Sequence, residues 1–213
     1  MEQVRLKEVG NEAAALRAAE VLRAGGVVLY PTDTLYGLGA DALSDEAVRK
    51  IYSIKGREEE KPIHAIVSGL DMAARYAEIS DDVRLLAERL PQGQVTYIVR
   101  KKPECKTGIL NGIGTLGFRI PNNELCALMT QAVGKPVTAT SANRSGKLPE
   151  RSIGKILAQL GGNVEGIDLV VDAGELPERR PSTVVDLSGI EPVIVREGAV
   201  SASEIWNALR DEQ

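Results

Sequence analysis

Apolar residues recur along this chain at two spacings, and the changes between them separate helices from strands. Over 11–24, Ala14, Leu16, Ala18, Val21 and Leu22 fall at helical intervals with charges between them, and Gly25-Gly26 stops the run. The short apolar run 27–30 then predicts a buried strand ending at Pro31. Thr32, Asp33, Thr34 and Tyr36 crowd in before Gly37 and Gly39, so the strand feeds a polar loop. Such junctions are where α/β proteins build sites, because the sheet fixes the loop and the loop presents the chemistry.

Ser44, with Asp45 and Glu46 behind it, predicts a helix N-cap and an acidic first turn, with Val48, Ile51 and Tyr52 facing inward as far as Lys55-Gly56-Arg57. A strand is expected over 63–68, and helices over 70–78 and, capped by Ser80, over 81–90. Strands over 95–100 and 116–120 flank a Gly-rich loop, 106–115. Asn122 or Asn123 caps a helix through Val133, and 136–141 reads as a strand running into a second polar loop. After a helix over 152–160 come strands at 169–172, 183–187 and 192–195. Ser201 with Glu204 forms a capping box for a last helix carrying Ile205, Trp206 and Leu209. Helices and strands alternate early and strands cluster later, which implies an α/β fold with a mixed sheet and flanking helices. No repeat or linker divides the chain, so a single domain over 1–213 is expected.

Composition narrows the partners. The 213 residues are 43% hydrophobic and only 3% aromatic, so the core is aliphatic. A formal charge of -4 argues against coating nucleic acid by bulk electrostatics and confines any anion site to a local patch. Cys105 and Cys126 suggest neither a disulfide framework nor a zinc site. Residues 1–10 are charged, and no segment approaches the length of a membrane span. A soluble, cytoplasmic protein with no membrane partner is expected.

Each polar cluster has two readings. Lys55, Arg57 and Lys61 form either a solvated helix end or a phosphate clamp in which guanidinium grips two oxygens. The run 140–146, Thr-Ser-Ala-Asn-Arg-Ser-Gly, is either an ordinary turn or a cradle for an anion or ribose. Ser182 and Thr183 open a strand, and Arg196-Glu197-Gly198 reads equally as a surface turn. His64 is the one histidine, which excludes a histidine-based metal cluster. Without a nucleophile signature beside it, a pocket-wall role fits it better than a Ser-His-Asp triad. Neither a Walker loop nor a Rossmann glycine fingerprint is present.

Taken in order, Pro31-Thr-Asp-Thr-Leu-Tyr-Gly-Leu, Lys55-Gly-Arg57 with Lys61-Pro62, Gly117-Phe-Arg119-Ile-Pro121, Thr140-Ser-Ala-Asn143 with Ser145-Gly146, Ser182-Thr-Val-Val-Asp186 and Arg196-Glu-Gly198 resemble the YrdC-like family, the threonylcarbamoyl-AMP synthases. The resemblance covers about 25–198. It implies a twisted mixed sheet curled around a basic cavity, the YrdC-like fold. It also implies a nucleotidyltransferase that makes threonylcarbamoyl-adenylate and pyrophosphate from L-threonine, bicarbonate and ATP. That is the first step of N6-threonylcarbamoyladenosine formation in tRNA, so a downstream threonylcarbamoyl-transferase machinery and tRNA are the further partners implied. By the same resemblance Lys55 and Arg57 are the catalytic cations, and Lys55, Arg57, Lys61, Thr115, Ser141, Asn143 and Arg196 bind ATP. Thr32, Thr34, His64, Arg119 and Ser182 bind threonine. Mg²⁺ is expected to arrive with ATP, held by phosphate oxygens and water and not by a protein metal site.

The chain departs from the family pattern in three places. Glu58-Glu59-Glu60 follows Arg57 where a proline is common, Gln92-Gly93-Gln94 replaces Pro-Gly-Pro, and His64 lies two residues early, a shift that keeps the same strand face. Two rivals remain: a non-catalytic module binding tRNA or double-stranded RNA, and a carbamoyl-transfer role as in larger hydrogenase-maturation proteins. The first is disfavoured by the lack of stacking aromatics, the second by the lack of zinc-finger cysteines. With residues 199–213 alone after the last motif, the chain resembles the short form of the synthase.

Overall fold

The computed structural model describes residues 1–56 and 62–210. Two mixed sheets carry the fold where one was expected. In the first, the order is β1 (Glu2–Arg5), β9 (Leu169–Asp172), β2 (Val28–Pro31), β3 (Tyr36–Gly39) and β8 (Thr140–Ser141). In the second it is β11 (Val193–Arg196), β10 (Thr183–Asp186), β5 (Val95–Arg100), β6 (Thr115–Arg119), β4 (Ala65–Ile66) and β7 (Val137–Thr138). Both contain parallel and antiparallel pairs, such as β1 with β9 and β2 with β3 in the first sheet.

The continuous apolar run at 27–30 has a physical reason. Side chains alternate across a strand, and here both faces are covered. Val28 and Tyr30 face a cluster with Ala14, Ala18 and Leu22 of α1 (Leu6–Arg23) and Leu125 and Met129 of α5 (Glu124–Val133). Val27 and Leu29 face the larger core, shared with α2 (Asp45–Lys55), α4 (Asp81–Arg89), α6 (Ile153–Leu160) and α7 (Ala202–Leu209). α1 begins earlier than its apolar pattern, with a non-helical break at Gly10, whose φ is 78°.

The predicted caps form. Ser44, Ser80 and Asn123 accept hydrogen bonds from the amides of Ala47, Val83 and Cys126, and Ser201 with Glu204 makes the capping box. Other expectations shrink. The strand over 63–68 is reduced to Ala65–Ile66 and the helix over 70–78 to α3 (Leu70–Ala73). The 106–115 loop contains a 3-10 turn, Gly108–Leu110, and gives its last residue to β6. On α7, Ile205 and Ala208 are buried while Trp206 turns outward. Among the described residues no helix is long and apolar enough to cross a membrane.

One predicted strand turns out to be two. Val137–Thr138 pairs with β4 in the second sheet, whereas Thr140–Ser141 pairs with β3 in the first. The crossover is fixed by Ala139 N–H donating to the His64 carbonyl at 2.7 Å. The Thr138 hydroxyl also accepts from Ala40 N–H at 2.9 Å and donates to the Leu38 carbonyl at 3.1 Å. This switch joins the sheets at one place, and the candidate site lies beside it.

Candidate active site

Elements of both sheets line a cavity of ≈ 720 Å³. The β2–β3 turn contributes Thr32 and Thr34, and β8 contributes Ser141. His64 comes from just before β4, Thr96 from β5 and Arg119 from the end of β6. Ser182 precedes β10, and Arg196 ends β11. Seven residues singled out from the sequence, Thr32, Thr34, His64, Arg119, Ser141, Ser182 and Arg196, therefore share one wall although the chain separates them widely.

The β2–β3 turn is shaped by its own hydroxyl. Thr32 Oγ1 donates to the Leu35 carbonyl at 2.7 Å and accepts from the amides of Thr34 and Leu35, each at 3.2 Å. Asp33, in the same turn, is not among the lining residues and pairs with Arg119, which is. Arg119 Nη1 donates to Asp33 Oδ2 and, at 3.0 Å, to the Gly93 carbonyl. All hydrogen bonds of Arg119 among the described residues come from this one nitrogen. Close approach needs a glycine at 93, where a Cβ would lie 2.6 Å from Asp33 Oδ2. Burial of the Asp33 carboxyl outweighs the attraction of Arg119 and raises its pKa above the ordinary 3.8.

His64 projects into a notch made by another glycine. A Cβ on Gly117 would lie 2.4 Å from His64 Cδ2, so only the bare backbone of β6 admits the ring. Across the wall, the hydroxyls of Ser182 and Thr96 are 2.8 Å apart and buried, and Arg196 Nη2 donates to the Ser182 carbonyl at 2.8 Å. Gly198 is equally constrained: a Cβ there would lie 2.2 Å from the Pro181 carbonyl. The Arg-Glu-Gly motif is thus no simple surface turn, since it packs against the backbone that presents Ser182.

Lys55 differs from the solvated helix end considered above. It ends α2 at 2% exposure, with Gly56 in the left-handed conformation behind it. Its ammonium donates to the Ser141 carbonyl, to the Asn143 carbonyl at 3.0 Å and to Asn143 Oδ1 at 3.2 Å. The Lys55 carbonyl accepts from Ser145 N–H at 2.8 Å. Asn143 Oδ1 also accepts from Ser141 Oγ, and Asn143 Nδ2 donates to the Lys147 carbonyl at 2.6 Å. Lys55 and Asn143 therefore sit behind the wall and hold the 141–145 loop, leaving Ser141 to line the cavity. Thr115 begins β6, about 13 Å along the strand from Arg119, and is not part of the wall. Arg57 and Lys61 lie outside the described residues.

The sequence reading missed the segment 173–181, which carries Glu175, Glu178 and Arg179 into the wall. Its anchor is Tyr36, whose hydroxyl donates to the Gly174 carbonyl at 2.7 Å and accepts from Ala173 N–H at 2.9 Å. Burial pushes the Tyr36 phenol up to about 12, so it stays a neutral donor. Tyr36 in the opening motif was the available signal, but its partner lies 138 residues on. The cavity is of mixed sign: Arg119, Arg151, Lys155, Arg179 and Arg196 line it together with Glu150, Glu175 and Glu178. Hydroxyls and guanidinium groups around one space suit oxyanions such as carboxylates and phosphates. Among the described residues no three His, Cys, Asp or Glu side chains come together as a metal site.

Known proteins share this architecture. A curated threonylcarbamoyl-AMP synthase of Pyrococcus abyssi is 33% identical over 193 residues, which cover 90% of this chain and 56% of that protein. The threonylcarbamoyl-AMP synthase of Mus musculus is 36% identical over 181 residues, covering 82% of this chain and 63% of its own. This chain thus matches little more than half the length of these relatives. The crystal structure of P. abyssi Sua5 complexed with L-threonine superposes with a TM-score of 0.85 at 31% identity, over 97% of this chain and 60% of that one. The family model Sua5/YciO/YrdC, described as telomere recombination, matches residues 20–198. With that match spanning every strand but β1 and every wall-lining motif, the chain belongs to the Sua5/YciO/YrdC family.

Proposed function

We propose that this chain is a threonylcarbamoyl-AMP synthase, a nucleotidyltransferase that converts L-threonine, bicarbonate and ATP to threonylcarbamoyl-adenylate, pyrophosphate and water. The observation that carries the reading is the convergence of Thr34, Arg119 and Ser182 with Ser141 and Arg196 on one cavity. The threonine complex of P. abyssi Sua5 supports the amino-acid substrate by similarity.

In this reading threonine enters with its carboxylate toward Arg119. Asp33 and Gly93 hold Nη1, and the rest of the fork serves the substrate. Thr34 and the Ser182–Thr96 hydroxyl pair orient the substrate, while Thr32 shapes the turn and His64 closes the wall. The threonine amine combines with bicarbonate to give an N-carboxylate. One oxygen of that group attacks the α-phosphorus of ATP, the bond to the β-phosphate breaks, and pyrophosphate leaves with the electron pair. Positioning and charge stabilisation suffice, and no covalent enzyme intermediate is formed. Ser141 and Arg196 contact the nucleotide, with Lys55 and Asn143 as positioning residues for the Ser141 loop. Arg57 and Lys61 complete the proposed ATP-binding cations, and Thr115, which lies outside the wall, belongs to the ATP set by resemblance alone.

Magnesium is proposed to arrive with ATP and would neutralise charge on the departing pyrophosphate. The adenylate is expected to feed threonylcarbamoyl transfer to tRNA in the cytoplasm. The test is pyrophosphate release with each substrate omitted in turn. Release that requires both threonine and bicarbonate supports the reading; threonine-independent release, or salt-sensitive RNA binding without any release, overturns it.

A further inference from the structure

One charged zone of the cavity takes no part in the account above. Arg151, just ahead of α6, and Lys155, in its first turn, both line the cavity and stand four residues apart. Facing them from 173–181 are two carboxylates that also line it. Glu178 Oε2 is 4.0 Å from Arg151 Nη1, and Glu175 Oε1 is 3.9 Å from Lys155 Nζ. Those separations are at the outer limit of an ion pair. The side chains are 41% and 91% exposed in the first pair and 64% and 58% in the second, so water screens both and each contributes little. Ser152, the N-cap of α6, makes no side-chain cap hydrogen bond, so the positive pole of this eight-residue helix adds to the same zone.

The two glutamates are not what holds their segment. Ala173 and Gly174 are tied to the Tyr36 hydroxyl, Leu176 N–H donates to the Arg151 carbonyl at 2.9 Å, and Arg179 Nη1 donates to the Asp33 carbonyl at 2.9 Å. A segment anchored by these four hydrogen bonds needs no further pair of stretched, exposed ion pairs. What the glutamates do is supply two negative charges opposite two cations inside a cavity suited to oxyanions.

We infer that Arg151 and Lys155 form a subsite for the terminal phosphates of a nucleoside triphosphate, and for the pyrophosphate left by it, over which Glu175 and Glu178 stand as resident competing anions. The inference rests on the proposed synthase reading for its substrate. Its chemistry is that of polyphosphate generally. A phosphate chain meets both cations with charge-assisted hydrogen bonds shorter than either present pair. The displaced carboxylates remain nearby to reclaim the cations, which favours departure of pyrophosphate after the bond breaks.

The experiment is calorimetric titration of the whole chain with inorganic tripolyphosphate, ATP and AMP, for wild type, the double variant R151Q/K155Q and the double variant E175Q/E178Q. All four side chains are at least two-fifths exposed, so matching melting temperatures are expected. R151Q/K155Q should bind tripolyphosphate and ATP about tenfold more weakly, with AMP affinity unchanged. E175Q/E178Q should bind tripolyphosphate several-fold more tightly. Wild-type tripolyphosphate affinity in R151Q/K155Q, no gain in E175Q/E178Q, an equal loss for AMP, or no tripolyphosphate binding by wild type would each overturn the inference. If wild type releases threonine-dependent pyrophosphate while R151Q/K155Q keeps its tripolyphosphate affinity, the subsite alone fails. If the titrations behave as expected but no such release occurs, the synthase reading alone fails.

Discussion

Arg119 and Asp33, 86 residues apart in sequence, form an ion pair in which both side chains are 9% exposed, and the second carboxylate oxygen, Oδ1, has no hydrogen-bond partner among the described residues. A buried, half-satisfied carboxylate of this kind is costly to ionise. The cost is tolerated because Asp33 fixes the orientation of Arg119 at the cavity wall. Asp33 is therefore a positioning residue, and its protonation is linked to stability.

The direction of that linkage can be measured. Burial raises the folded-state pKa of Asp33 above 3.8, so the fold binds this proton more tightly than the unfolded chain does. The stability contribution is fully present below 3.8 and is lost as pH rises through the raised folded value. Asp33→Asn keeps an oxygen for Arg119 Nη1 and removes the titration. Melting temperatures of wild type relative to this variant should fall with rising pH across that window; a difference that rises would contradict the assignment.

Lys55 carries a structural prediction that its sequence position conceals. As an exposed loop cation it would be removable at little cost, but its ammonium is buried against three oxygens of the Ser141–Asn143 loop. Lys55→Met should lose about 2–3 kcal/mol in urea unfolding, the scale of hydrogen bonds from a charged donor left unmade. It should also abolish nucleotide binding. Wild-type stability in this variant would mean that the loop holds itself.

Gly117→Ala probes the notch beneath His64. A methyl group placed 2.4 Å from Cδ2 must move the ring, at an overpacking cost of about 1–3 kcal/mol. Because the chain has a single histidine, its imidazole NMR signals report that movement without ambiguity. A shifted His64 resonance with a raised KM for threonine is expected. An unchanged resonance would show that the backbone of β6 yields instead.

Much of this molecule was legible in its sequence where local physics dominates. Capping residues and helical periodicity placed α2, α4, α5 and α7, and an apolar run bounded by glycine and proline placed β2. β1 was missed because Glu2–Arg5 has three exposed residues and no apolar alternation; it becomes a strand by pairing with Leu169–Asp172. Tyr36–Gly39 read as loop because of its glycines, yet Gly39 is there to admit Tyr30, whose Cε1 would lie 2.8 Å from a Cβ. Periodicity is equally blind at Ala139, where one β-like stretch changes sheet. In the site, the ordered motifs that carry Ser141, Arg119 and Ser182 pointed to a shared site through the family resemblance and not through residue type alone. Their supports, Asp33 under Arg119 and Thr96 beside Ser182, come from pairings across the fold that no local pattern encodes.

In the proposed reaction threonine is joined, through a carbon taken from bicarbonate, to the α-phosphate of ATP. Mass spectrometry of the adenylate formed from isotopically labelled bicarbonate tests it most directly. The account predicts a threonine-containing adenylate that carries the label and is absent when threonine or bicarbonate is withheld. An unlabelled threonyl adenylate, or AMP and pyrophosphate with no threonine adduct, would contradict it.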